Sequence, residues 1–309
     1  MKRVLVLSTF DEETMRALER DPLFVVGQDA EEANCVNTLD TVVGVVVRSG
    51  LTIDYKVLDT IPTLRFVIRA GSGVDNIEVE ELRRRNIELV RNPSLSAEAV
   101  AELAVSGILS LTRRMPEAMG LLRRGVWAKG DLIGDSLGRL SVGIWGAGPV
   151  GMACYRALRG LCAGVRFASW PSLPHEVRNL SAEPAELLSE TDVHVLCLPG
   201  RPQTVGLFGE AFFNSVQRRR PYLVNVGRHE LIDVAAATQA LELSHLRGLF
   251  IDPVNAEDVS ELAQLLDRTE GLNMIVTQHL GARRADVLAT MGMWVIRTAK
   301  VLVNKLEVH

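Results

Sequence analysis

The stretch LSVGIWGAGPVG, residues 140–151, decides how the rest of the chain is read. Its first six residues form a short apolar run suited to a buried strand. Gly146, Gly148 and Gly151 follow in the order G-x-G-x-x-G, and a helix-like segment runs from Pro149 to about Leu161. Strand, glycine turn and helix together make the setting that a dinucleotide-binding turn requires. The first glycine permits a tight turn, the second a close backbone approach to a pyrophosphate, and the third close packing of helix on strand. Free N–H groups and the helix dipole favour anions at such a helix start. A glycine triplet alone also occurs in methyltransferases and in ordinary turns, so the weight of this reading rests on the flanks.

Outward from this stretch, apolar runs alternate with helical segments. Before it, runs at 4–7, 42–47, 64–68 and 87–90 read as strands. A helix capped by Asp11 runs to about Arg20 and is stopped by Pro22, and residues 77–85 read as another. Asn92-Pro93 punctuates the chain, and residues 94–111 carry apolar residues at helical spacing, as a linker helix between domains would. After it, strands are expected at 165–168, 193–198, 222–226, 249–251 and 274–276. Helices are expected at 183–189, 233–243 and 284–306. Such alternation means an α/β chain with parallel sheets. In open sheets of this kind ligands bind beyond the carboxyl ends of the strands. The expected division is a substrate domain of residues 1–92 plus 284–309 and a dinucleotide-binding domain of residues 93–283, with the site in the cleft between them.

Composition narrows the function classes. A length of 309 residues suggests two domains rather than one. Acidic residues outnumber basic ones, 38 to 34, for a formal net charge of −4, which argues against a nucleic-acid surface spread over the chain. Cys35, Cys154, Cys162 and Cys197 are scattered, with no C-x-x-C pair, as expected of reduced thiols; no metal site is expected. The opening MKRVLVLSTFDEE has too short an apolar run for a signal peptide, and no stretch approaches the length of a membrane span. A cytoplasmic protein with neither nucleic-acid nor membrane partners is expected.

Further landmarks follow in order: VRSGLT at 47–52, RAGSGVDNI at 69–77, AEAVAEL at 97–103, NVGR at 225–228, Asp252 with Glu257, and QHLGA at 278–282. With the glycine turn, this series resembles the D-isomer-specific 2-hydroxyacid dehydrogenase family, and within it the branch of the 3-phosphoglycerate dehydrogenases. The resemblance covers nearly the whole chain. It implies two Rossmann-like domains, the first flavodoxin-like, NAD or NADP as cofactor, a small 2-keto or 2-hydroxy acid as substrate, and a homodimer joined through the cofactor domains. It also implies that Arg228, Glu257 and His279 are catalytic. The chemistry suits these types. An arginine fork can hold and polarise a 2-keto acid. Histidine can deliver or remove the proton that accompanies hydride transfer near neutral pH, and a carboxylate partner fixes its tautomer. Taken singly, Arg228 reads as a surface charge, Glu257 as a solvated acid and His279 as a core histidine; their joint order and spacing favour catalysis.

The same resemblance implies dinucleotide contacts at Ser72, Gly146, Gly148, Pro149, Val150, Gly151, Leu198, Pro199, Val226 and Asp252. It places the substrate carboxylate on the Ser72-Gly73 loop and Arg228, beside His279. A distal phosphate falls to Arg48 and Arg69, each of which follows a β-branched run. Two such cations favour a dianionic substrate such as 3-phosphoglycerate or its keto product. Three positions depart from the family pattern. His229 stands where a glycine is usual, Gln278 replaces a proline, and Trp170 occupies the place of the aspartate that selects NAD, 19 positions after Gly151 (170 − 151). Trp170 reads either as a wall beside the adenosine or as a hydrophobic filler, and weak discrimination between NAD and NADP is expected. Arg178 and His175 lie near enough in sequence to meet a phosphate. The alternative function is a non-enzymatic, dinucleotide-sensing co-repressor of the same fold; a methyltransferase is a third and weaker reading.

Overall fold

The chain is described by a computed structural model over residues 2–27, 39–48, 51–169, 173–254 and 259–307. It divides into two units, Met1–Ser96 with Arg283–His309, and Ala97–Ala282. Residues 93–96 and Arg283 fall in the first unit; the sequence reading had given them to the second domain.

The first unit is built on five parallel strands: β1 (Arg3–Leu7), β2 (Phe24–Val26), β3 (Val42–Val47), β4 (Phe66–Arg69) and β5 (Glu88–Arg91). Their order is β2-β1-β3-β4-β5, so the winding reverses between β1 and β3. All six residues of β3, VVGVVV, are buried, which is why it reads as a continuous apolar run. Helix α1 (Glu12–Arg20) starts at Asp11, whose carboxylate accepts from the Thr14 N–H at 3.0 Å. Helix α2 (Tyr55–Thr60) starts in the same way at Asp54, which accepts from Val57 N–H at 3.0 Å. Each cap satisfies a donor that the helix cannot. Helix α3 (Val79–Arg84) is short.

The second unit opens with α4 (Ala97–Thr112) and α5 (Met115–Arg123). Helix α4 begins at Ala97, three residues later than the sequence pattern suggests, because residues 93–96 form a turn in which Asn92 Oδ1 accepts from Ser94 N–H at 3.2 Å. Seven parallel strands follow: β6 (Ser141–Trp145), β7 (Gly164–Ala168), β8 (Ser181–Ala182), β9 (Val193–Leu196), β10 (Tyr222–Asn225), β11 (Gly248–Ile251) and β12 (Met274–Val276). Their order is β12-β11-β10-β9-β6-β7-β8, with the reversal between β6 and β9. Between them run α6 (Pro149–Leu158), α7 (Pro184–Glu190), α8 (Glu210–Val216), α9 (Val234–Glu242) and α10 (Val259–Arg268). Helix α4 packs on α6, β10 and β11, and its face is small enough at Gly107 to admit the Phe250 ring.

The final helix, α11 (Ala285–Glu307), returns to the first unit and packs on α1, β3 and β4. Gly292 lies against Thr14, so closely that a Cβ there would overlap it. Among the described residues no helix is long and apolar enough to cross a membrane, and no cluster of side chains could hold a metal ion.

Candidate active site

In the second unit, the residues singled out in the sequence line up along one edge of the sheet. The glycine turn follows β6, Cys197-Leu198-Pro199 follows β9, Val226 to Arg228 follows β10, Asp252 follows β11, and Thr277 to His279 follows β12. Each strand end is registered to its neighbour by one further backbone bond. Cys197 N–H donates to Trp145 O (2.8 Å), Val226 N–H to Leu196 O (3.0 Å), Asp252 N–H to Asn225 O (2.9 Å) and Thr277 N–H to Ile251 O (2.9 Å). The reversal of winding lies at β6 and β9, where doubly wound sheets open a crevice for a ligand.

The glycine turn fits a dinucleotide. Gly146 has φ +106°, a conformation that side-chain-bearing residues rarely adopt. A Cβ on Gly151 would overlap Gly146 O, so helix and turn meet there only because the third glycine has no side chain. Above Gly148, by contrast, a Cβ would meet nothing within 4 Å, which leaves an exposed backbone surface at the start of α6. Pro149 and Val150 form the first turn of that helix. Leu198 and Val226 are buried, while Pro199 is exposed. Nothing is described for Trp170 or Glu257, which lie outside the described residues. Arg178 and His175 are exposed on the 3-10 turn His175–Leu180, with Arg178 Nε 3.4 Å from Leu173 O.

Asn225 explains the placement of Arg228. It is fully buried; its Oδ1 accepts from Gly227 N–H at 3.0 Å and its Nδ2 donates to Arg228 O at 2.7 Å. The turn after β10 is thus fastened at both ends by one amide, a role that the sequence reading did not assign. A Cβ on Gly227 would stand 2.7 Å from Leu198 O, so only glycine permits this approach of the two loops. Arg228 is half-buried, with Nη1 donating to Gly227 O at 2.8 Å. His229, in place of the family's glycine, sits with Nδ1 3.2 Å from Glu230 Oε2.

Asp252 is 2% exposed, and its carboxylate is spent on one loop. Oδ1 accepts from the Thr277 hydroxyl (2.8 Å) and from Leu280 N–H (2.7 Å), and Oδ2 from Gly281 N–H (3.0 Å). These bonds bracket His279, which is exposed and held at φ +60°, in the left-handed region. A buried carboxylate that accepts several N–H and O–H bonds is well satisfied without a cation. Asp252 therefore organises the histidine loop, a connection that spans 27 residues (279 − 252). His194, on β9, differs in kind. Burial pushes its imidazole down to about 3, and it stays neutral beneath the Trp145 Nε1–H, 3.2 Å from its Nδ1.

In the first unit, Arg69 is the last residue of β4, and Arg48, Ser72 and Gly73 lie beyond the ends of β3 and β4. Arg48 is half-buried and reaches Thr9 O with Nη1 at 3.2 Å. Arg69 is 7% exposed and turned inward: its Nη1 donates to Ala70 O at 3.1 Å, and its guanidinium covers Gly71. Gly73 is buried, and Ser72 O accepts from Arg91 Nη1 at 2.8 Å.

Comparison with known proteins bears on the whole arrangement. Residues 105–281 match the family described as D-isomer specific 2-hydroxyacid dehydrogenase, NAD binding domain. The chain is 29% identical over 265 residues to a D-3-phosphoglycerate dehydrogenase of Mycobacterium tuberculosis, covering 82% of this chain and 48% of that protein. It is 30% identical over 242 residues to a glyoxylate reductase of Thermococcus gammatolerans, covering 74% of this chain and 70% of that one. It spans about half the length of the phosphoglycerate dehydrogenases it matches first. Among solved structures, a D-lactate dehydrogenase of Aquifex aeolicus, complexed with NAD and lactic acid, superposes with a TM-score of 0.84. It is 18% identical and covers 98% of this chain and 96% of that one, a likeness of fold.

Proposed function

Since the chain belongs to the D-isomer specific 2-hydroxyacid dehydrogenase family, we propose that it transfers a hydride between a nicotinamide dinucleotide and a small 2-keto or 2-hydroxy acid with a second anionic group, such as 3-phosphoglycerate. The observation that carries this reading is the row of strand ends in the second unit. It sets a glycine cradle, Arg228 and His279 along one edge of one sheet. When bound, the nicotinamide supplies or accepts the hydride. The backbone of Gly146, Gly148, Pro149, Val150 and Gly151 would hold the pyrophosphate. Arg228 would grip the substrate carboxylate and polarise the C2 carbonyl, where a guanidinium fork suits a planar acid. His279 would give a proton to the C2 oxygen in reduction and take it back in oxidation. Glu257 is assigned as its carboxylate partner by resemblance. The Ser72-Gly73 loop is assigned to the substrate carboxylate, and Arg48 with Arg69 to the second anion, on the same ground.

The test is loss of reduced-nicotinamide absorbance with NADH and with NADPH, using phosphohydroxypyruvate, oxaloacetate, hydroxypyruvate, pyruvate and glyoxylate in turn. Turnover that favours the two dianions supports the reading in full. Preference for monoanionic acids would keep the dehydrogenase and discard the second anion. Tight dinucleotide binding with no turnover of any acid would discard both.

We also propose a homodimer. Helix α5 and the segment after it present Met115, Met119, Leu122 and Val126 at intervals of four, three and four residues, all exposed, with Trp127 80% exposed beside them. An outward apolar stripe of this kind marks an interaction surface, and a second copy can cover it symmetrically. Sedimentation of wild type and Met119→Lys checks this: a dimer is expected to become a monomer.

A further inference from the structure

The loops that follow β3 and β4 in the first unit are tied together by one residue. Asn76 lies seven positions after the end of β4 (76 − 69) and is partly buried. Its Nδ2 donates to Arg48 O at 3.0 Å and also to Leu51 O. Its own carbonyl accepts from Ile53 N–H at 2.8 Å, and Ile53 O accepts in turn from Glu78 N–H at 3.0 Å. Ile53 and Ile77, both buried, thereby form a single parallel bridge. Three points on the loop after β3, at Arg48, Leu51 and Ile53, are set by one residue of the loop after β4.

The side chain is suited to this task. Two main-chain carbonyls need two N–H donors on a short stem, which asparagine supplies. Aspartate has the same shape and no donor, and glutamine carries the donors one bond further out. Asn225 makes a related arrangement in the second unit, but a local one, within its own strand and turn. Asn76 reaches across 28 and 25 positions (76 − 48 and 76 − 51), from one strand end to another. It acts past the bond from Ala70 N–H to Val47 O, 2.8 Å, that registers the ends of β3 and β4.

We propose that Asn76 is a positioning residue for the substrate: it holds the loop after β3 in register with the loop after β4 and does not touch the acid itself. A site whose parts are already aligned loses less affinity to ordering when the ligand arrives. The hold on the loop stands on the first unit alone; its effect on the acid rests on the 2-keto acid reading above, which assigns both loops to the substrate.

The experiment compares wild type, Asn76→Asp, Asn76→Gln and Thr63→Val. Thr63 is the control at the opposite edge of the same sheet, where its hydroxyl lies 2.7 Å from Val42 O and 3.2 Å from Leu39 O. Four quantities are measured on each: hydrogen–deuterium exchange at Ile53 N–H, the thermal midpoint, the NADH dissociation constant, and steady-state kinetics with phosphohydroxypyruvate and pyruvate. Asn76→Asp should speed exchange at Ile53 and raise KM for the acid about tenfold or more. Its kcat and NADH affinity should stay near wild type, as for a loss of uniform binding. Asn76→Gln, which keeps both donors, should lie between, and it carries the same comparison if Asn76→Asp does not fold. Thr63→Val should lower the thermal midpoint and leave exchange at Ile53 and KM as they are. Unchanged exchange in both Asn76 variants overturns the hold on the loop. Faster exchange with unchanged KM, or an equal rise of KM in Thr63→Val, overturns the positioning role. If exchange responds and wild type turns over neither acid, the hold on the loop stands and the dehydrogenase reading is what fails.

Discussion

The two sheets solve the same problem with different chemistry. Both are parallel, and both reverse their winding at one place, β1/β3 in the first unit and β6/β9 in the second. At the second reversal the chain offers backbone: a glycine turn with Gly148 open above it and a helix start behind it. At the first it offers a side-chain cation, Arg48. Backbone N–H groups approach closely and select for shape, as an extended dinucleotide requires. Guanidinium forks reach further and select for charge, as a small acid requires. The fold alone therefore does not determine the ligand; the loops at each reversal do.

The largest separation of the two regions should come from His279→Ala. Removing a general acid typically costs ~10²–10⁴-fold in rate. NADH affinity, which belongs to the glycine turn, should stay near wild type. Stopped-flow turnover and fluorescence titration read the two quantities, and equal loss in both would erase the distinction. Next is Gly151→Val, which should do the reverse and strike the nucleotide first. Its side chain would collide with Gly146 O, and overpacking of this sort costs ~1–3 kcal/mol. NADH titration should show the loss.

A smaller effect is expected from Asp252→Asn. The amide replaces one acceptor with a donor against Thr277, Leu280 or Gly281, at a cost of about 1–3 kcal/mol. Because Asp252 acts through the loop that carries His279, kcat should fall while KM moves little. An unchanged kcat would show that the loop keeps its shape without the carboxylate.

The smallest effect belongs to stability. Asp11→Ala removes the cap of α1, worth about 1 kcal/mol, and should lower the thermal midpoint of the first unit. Bonding to Thr14 holds the Asp11 carboxyl below its ordinary value of 3.8. The cap's contribution is therefore present above that value and is lost as the pH falls through the lowered one. Asp233→Ala, which uncaps α9 in the second unit by removing an acceptor 2.9 Å from Ala236 N–H, is the matched control.

What could be read beforehand followed the strength of local signals. The runs at β3, β6 and β10 are buried on both faces and so stand out as apolar, and Asp11 announced its helix. Helices α8 and α10 escaped, and so did three further kinds of element. Strands β2 and β8, of three and two residues, are too short for a period to show. Helix α2 has six residues and is defined by its cap. Helix α5 was missed because its apolar residues face outward. In the site, residue types at strand ends were legible, but partnerships were not. Asn225 bridges Gly227 and Arg228 only because the turn folds back on itself. Asp252 meets residues 277–281 only because β11 and β12 are neighbours.

The most direct test follows the hydride itself. The protein is mixed with NADH dideuterated at nicotinamide C4 and with phosphohydroxypyruvate, and the product is examined by proton and deuterium resonance. The expected result is one deuterium at C2 of a single, D-configured hydroxy acid, with matching loss of reduced-nicotinamide absorbance. Bound dinucleotide that keeps both deuterons in the presence of this acid and of the four other 2-keto acids named above would contradict hydride transfer at this site.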